Sequence, residues 1–197
     1  IDTDWKKVLF NPSLTQSHDI GIRVGGENVS NYTSIGYMDQ EGVVATTDFK
    51  RFTFRNNLQG KSKNERLTFG ANVALGYSKR HQLDEETRTD IAANVIQNPL
   101  LVGIVALPTL ASGAYANGQA LYNGIGSSFG GGNNVYVLED VLKGTLPNLF
   151  TETSTNVNLN GSYKLTDRLT VSNRVGAEYT YSERLFARTL QSYLGIV

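Results

Sequence analysis

A chain of 197 residues that is 40% hydrophobic and 18% charged has the composition of a folded protein, not of a disordered one. Its 18 basic residues balance 18 acidic ones, which leaves no basic stripe for nucleic acid, and the absence of cysteine excludes a disulfide scaffold and a thiolate metal site. No window approaches the roughly 18 consecutive apolar residues of a membrane-spanning helix; the nearest run, Leu100 to Leu107, stops at Pro108.

The opening "IDTDWKKVLF" has no initiator methionine, basic segment or apolar export core, and reads as the start of a piece of something longer. From there, alternation of period two recurs along the chain, the signature of strands with two unlike faces. Ile20, Ile22 and Val24 oppose Asp19, Gly21 and Arg23; after the polar connection Gly26 to Ser30, Thr33, Ile35 and Tyr37 oppose Ser34 and Gly36. Asp39 to Asp48, "DQEGVVATTD", is a longer connection, and beyond it Phe52, Phe54 and Leu58 face away from Arg51, Thr53, Arg55 and Asn57. Gly60 to Arg66 is short again. The clearest strand then sets Leu67, Phe69, Ala71, Val73, Leu75 and Tyr77 against Thr68, Gly70, Asn72, Ala74, Gly76 and Ser78.

The stretch from Lys79 to Glu152 is the long connection of the chain. "DEETRTDIAANVIQNP" inside it predicts a helix, with Asp84 as cap, Glu85 and Glu86 at the positive end of the dipole and Asn98-Pro99 as the stop. Further on, Tyr115, Asn117, Tyr122 and Asn123 lie among small residues, a composition suited to stacking on sugar rings or bonding peptide backbones; the alternative is packing between loops or against a partner. "GIGSSFGGGNN" lacks the Gly-Lys-Ser/Thr ending of a phosphate loop and reads as a loop only. After it, Val157, Leu159, Gly161 and Tyr163 oppose Asn158, Asn160 and Ser162, and a short "KLTDR" leads to the last strand. There Leu169, Val171, Val175, Ala177, Tyr179 and Tyr181 oppose Thr170, Ser172, Arg174, Gly176, Glu178 and Thr180, with Asn173 as the exception on the apolar face.

Six strands joined by alternating short and long connections have the asymmetry of an outer-membrane barrel, with short turns on one side and long loops on the other. Tyr37, Tyr77, Tyr163, Tyr179 and Tyr181 fall near strand ends, as girdle residues do. The runs Leu67 to Ser78 and Leu169 to Tyr181 meet the roughly 9 to 11 residues that a spanning strand needs. The expected fold is therefore all-β, an antiparallel transmembrane β-barrel segment with long extracellular loops that contain a short helix. The alternative is a soluble surface β-sandwich module that binds glycans. On the barrel reading Arg23, Arg51, Arg55, Arg174 and Glu178 face the lumen.

No enzyme is expected, because neither His18 nor His81 has a nucleophile or a metal partner at useful spacing. The groups Asp39/Glu41 and Asp84/Glu85/Glu86 are solvated loop acids or, alternatively, Ca²⁺ ligands. No cofactor is expected.

One block is more specific. "GYMDQEG" followed by "FKRFTFRNN", with "TDW" and the paired Gly25 and Gly26 before it, closely resembles the barrel of SusC/RagA-type TonB-dependent outer-membrane transporters. The pattern is Gly-Tyr, two residues, Gln, one residue, Gly, about six residues and Phe-Lys-Arg, and Gly36, Tyr37, Gln40, Gly42, Phe49, Lys50 and Arg51 fit it. The likeness extends over most of the chain, through "RLTFGANVALGYSKR" and "SYKLTDRLTVSNRVGAEYTYSER"; it weakens at "VIQNPLLVGIVALPTL" and at Val135, where such loops carry proline.

The resemblance implies a place in the bacterial outer membrane and a barrel of roughly 22 strands filled by a plug. It implies import of oligosaccharides or peptides, a SusD-like lipoprotein as lid, and energy from the TonB complex. The chain then represents part of the barrel wall, residues 1–197 without plug or TonB box, with 79–152 as a long extracellular loop and the five lumen residues in contact with the plug.

Overall fold

A computed structural model gives the structure of residues 2–83, 108–109, 112–125 and 140–196. Six antiparallel strands follow chain order in one sheet: β1 (Thr15–Gly25), β2 (Val29–Glu41), β3 (Asp48–Lys61), β4 (Leu67–His81), β5 (Asn148–Thr166) and β6 (Leu169–Phe186). At 11 to 19 residues each, all meet or exceed the roughly 9 to 11 that cross a bilayer.

The strands are longer than their apolar alternation suggested. β1 starts at Thr15 rather than near Asp19, and β5 runs from Asn148 rather than from the region of Val157. The long connection accordingly shortens to residues 82–147, and the one between β2 and β3 to 42–47. Hydropathy alternates only where one face meets a nonpolar phase, so the polar ends of tall strands carry ladder hydrogen bonds without a hydropathy signal.

Residues paired across an antiparallel ladder share a face, so the register tests the alternation directly. One row of partners is Ile20, Ile35, Phe54, Leu75, Thr155 and Tyr179; another is Val24, Asn31, Leu58, Ala71, Leu159 and Val175. A third row, His18, Tyr37, Phe52, Tyr77, Thr153 and Tyr181, forms an aromatic band toward the ends that carry the longer connections. Side chains on this face are bare: Ile20 is 71% exposed, Val24 67% and Tyr179 63%. A contiguous apolar surface of this size is stable only against another nonpolar phase.

The soluble sandwich fails on this point. A sandwich buries one sheet face against a second sheet, whereas every buried hydrophobic residue among those described lies outside the strands. The core consists of Trp5, Leu9, Leu83, Leu121, Val141 and Tyr193, gathered where the long connections meet.

The opposite face is polar and crowded. A Cβ added at Gly36 would collide with the side chains of Asp19 and Thr53 from the two flanking strands, and one at Gly21 would meet the Tyr32 ring. Asn160 and Asn158 lie over Gly70 and Gly176 in the same way. Small residues here make room for polar neighbours converging from adjacent strands, as the interior of a curved sheet requires.

The apolar face has exceptions beyond Asn173. Asn31, in the second row above, and Thr33 and Asn56, partners in the row beside it, also lie on it. Their polar atoms turn on one another: the Asn56 amide donates to Asn31 Oδ1 at 3.1 Å and Thr33 Oγ1 at 2.8 Å, and the Asn31 amide returns a bond to Asn56 Oδ1 at 3.4 Å. Self-pairing of this kind lowers the cost of presenting amides to hydrocarbon.

Candidate functional site: a polar face beneath a loop cluster

Helix α1 (Trp5–Leu9) begins where the Asp4 side chain accepts from the Lys7 backbone N–H at 3.3 Å, which holds the Asp4 carboxyl below its ordinary range. Trp5 and Leu9, four residues apart, share one helix face and are 3% and 1% exposed. The chain leaving α1 is tied to the β2–β3 connection: Ala45 N–H donates to the Leu9 carbonyl and Asn11 N–H to the Val43 carbonyl, both at 2.8 Å. Thr3 N–H reaches the Pro108 carbonyl at 2.9 Å, so the same segment also holds the long connection.

Helix α2 (Gly118–Ile125) lies within that connection and buries Leu121. Gly118 sits so close to the backbone of Gln191–Tyr193 that no side chain fits, and its N–H donates to the Gln191 carbonyl at 2.7 Å. Tyr193, in the turn after β6, is fully buried; its N–H donates to Asp140 Oδ1 at 2.9 Å, and burial raises its phenol pKa. Asn148 Nδ2 donates to the Leu83 carbonyl and its Oδ1 accepts from Arg184 Nε, both at 2.9 Å, which pins the cluster to the roots of β4, β5 and β6. Segments distant in sequence thus make one small core at one end of the sheet.

The four residues expected to touch substrate or partner fall on or just before α2. Asn117 caps it, accepting from Ala120 N–H at 2.9 Å, and Asn123 accepts from Gln119 Nε2 at 3.0 Å; both are exposed. Tyr122 packs against Tyr193 with ring centroids 6.3 Å apart, and the Tyr115 ring lies over Gly124 while its carbonyl accepts from Lys143 Nζ. The tyrosines serve the cluster and the asparagines face outward. The predicted helix from Asp84, the acids Asp84 to Glu86, Val135 and most of the glycine-rich run lie outside the described residues.

Arg23, Arg51, Arg55, Arg174 and Glu178 all lie on the polar face. Arg55 and Glu178 share a row but are three strand intervals apart, roughly 14 Å, too far to pair. Arg23 stacks over Tyr32 at 5.6 Å and Arg51 approaches the Met38 sulfur at 3.9 Å. Among the described residues none of the four arginines has a carboxylate partner, so the face offers cations to whatever fills the space before it. At its short-turn end, Gln59, Thr68, Asn72 and Asn160 line an open cleft of about 390 Å³.

Among the described residues no three acids, histidines or cysteines are grouped to hold a metal. Asp39 is bound by Lys50 at 3.3 Å, Glu41 accepts from Leu14 N–H at 3.3 Å, and His81 Nδ1 meets Asp48 at 2.5 Å.

No family model matches the chain. Over 83 residues it is 31% identical to the TonB-dependent receptor SusC of Bacteroides thetaiotaomicron, a stretch covering 42% of this chain and 8% of that protein. Over 76 residues it is 36% identical to the TonB-dependent receptor P26 of Formosa agariphila, covering 39% of this chain and 8% of the relative. Its fold matches the RagAB peptide importer in the closed-closed state with a TM-score of 0.65 at 24% identity, over 92% of this chain and 19% of that one. The chain is similar to a barrel segment of SusC/RagA-type TonB-dependent receptors. It spans about a fifth of the matched importer chain and belongs to the bacterial outer membrane. In a barrel wall of this kind a bare apolar face suits lipid and a crowded polar face suits the lumen. Its relatives are receptors and transporters, not enzymes.

Proposed function

We propose that the complete polypeptide imports an oligosaccharide or peptide nutrient, that a SusD-like lipoprotein covers its outer mouth, and that the TonB complex acts through its N-terminal part. In this reading the arginine-bearing polar face meets the plug, and the connection of residues 82–147 stands on the cell exterior. The observation that supports the proposal is the loop cluster, in which α1, the described parts of the long connection and the turn at Tyr193 share one small core at one end of the sheet. A loop without function has no need of a buried core, and connections beyond roughly 12 to 15 residues are usually functional or disordered. Asn117, which caps α2, and Asn123 on it are the exposed contacts proposed for substrate or lid.

Replacing residues 82–147 with a short linker from His81 to Asn148 tests this in the full-length protein. The β4–β5 ladder, paired from Leu67↔Tyr163 to His81↔Leu149, is expected to persist and the barrel to insert. Growth on the cognate nutrient and co-purification of the lipoprotein are expected to be lost. Normal uptake with the partner retained would overturn the proposal.

A further inference from the structure

On the lipid-facing side, the row beyond the aromatic band consists of Gln16, Asp39, Lys50, Lys79, Thr151 and Glu183. Two residues along a strand advance it by roughly 6 to 7 Å, which sets this row at headgroup depth just outside the aromatic belt. Lys50 and Lys79 are direct partners across β3 and β4. Facing like charges oppose pairing, so this arrangement calls for an anion.

Among the described residues the protein supplies one, on one side. The Asp39 carboxylate takes Lys50 Nζ at 3.3 Å and the Tyr37 hydroxyl at 3.2 Å. Lys79 has no ion-pair partner among the described residues, and its neighbour on β5 is the hydroxyl of Thr151. The other described acids nearby are engaged or distant: Asp48 by His81, Glu41 by the Leu14 N–H, and Glu183 two strand intervals from Lys79. We propose that Lys50 and Lys79, with Thr151 beside them, hold the phosphate of an outer-leaflet lipid headgroup against the barrel wall. A lipid fits better than a free ion, because the amines project on the same face as the exposed Phe52 and Tyr77 rings, against which acyl chains would lie. The inference rests on the long connection being outside the cell, which labelling of Asn117→Cys on intact cells by an impermeant maleimide tests separately.

The experiment uses the full-length protein in detergent, titrated with bisphosphorylated lipid A, its phosphate-free counterpart, phosphatidylglycerol and inorganic phosphate, with bound lipid read by native mass spectrometry. Phosphorylated lipid A is expected to bind about tenfold more tightly than the phosphate-free form. The Lys50→Gln/Lys79→Gln variant should lose that preference, Lys79→Arg should keep it, and Lys63→Gln/Lys164→Gln at the opposite end should leave it unchanged. If the double glutamine variant misfolds, Lys79→Gln alone is expected to lower the preference measurably. An unchanged preference in the lysine variants would show that the amines merely reach for water and would overturn the proposal. Full competition by millimolar inorganic phosphate, or preferential binding of phosphatidylglycerol, would overturn the outer-leaflet assignment.

Discussion

Val73→Arg in the full-length receptor is expected to destabilise the assembled barrel by roughly 2 to 4 kcal/mol, while Asn72→Arg leaves it near the parent value. The two positions are adjacent on β4, and the ladder separates them completely. Val73 is opposite Asn56 and Val157 in the middle of the apolar face, whereas Asn72 is opposite Asn57 and Asn158 on the polar face. A guanidinium at mid-bilayer depth has no water and no carboxylate within reach; the same group in a hydrated lumen joins four existing arginines. Urea titration of folding into lipid vesicles measures both. Equal losses would contradict the face assignment.

Trp5→Ala is expected to remove about 3 to 5 kcal/mol from the loop cluster while sparing the wall. The indole is 3% exposed among Leu9, Leu83, Leu121, Val141 and Tyr193, and α1 has only five residues, so it has little helical stability of its own once that contact is gone. With α1 detached, the backbone bonds from Asn11 to Val43 and from Ala45 to Leu9 lose their anchor. Protease added to intact cells should then cut the 42–47 and long connections faster, with heat-modifiable barrel mobility preserved. Trp5→Phe should restore most of the protection. A parent-like cleavage pattern in Trp5→Ala would show that the cluster does not depend on α1.

The wall was legible in the sequence because its signal is local: each residue of Leu67 to Ser78 declares its face by parity alone. The limits of the strands were not, since the polar residues from Thr15 to Asp19 and from Asn148 to Asn156 pair as regularly as the rest but alternate no hydropathy. The asparagines Asn31 and Asn56 were invisible for a related reason, because what makes them tolerable on the apolar face is a bond between strands. The loop cluster was the least legible part. Gly118 argues against a helix by propensity, and α2 exists because its close approach to Gln191–Tyr193 and the burial of Leu121 outweigh that preference. The Asp4 cap was readable in "TDWKKVL", where an N-cap acid precedes Trp and Leu at helical spacing.

The central claim is that one polypeptide face is solvated by lipid and the other by the lumen. A nitroxide scan of residues 67–78, one cysteine at a time in the full-length receptor reconstituted into bilayers, tests it most directly. Collision with oxygen is expected to peak at the odd positions from Leu67 to Tyr77, and collision with a water-soluble nickel chelate at the even positions from Thr68 to Ser78. The same accessibility at every position, or the opposite phase, would contradict the assignment of these faces.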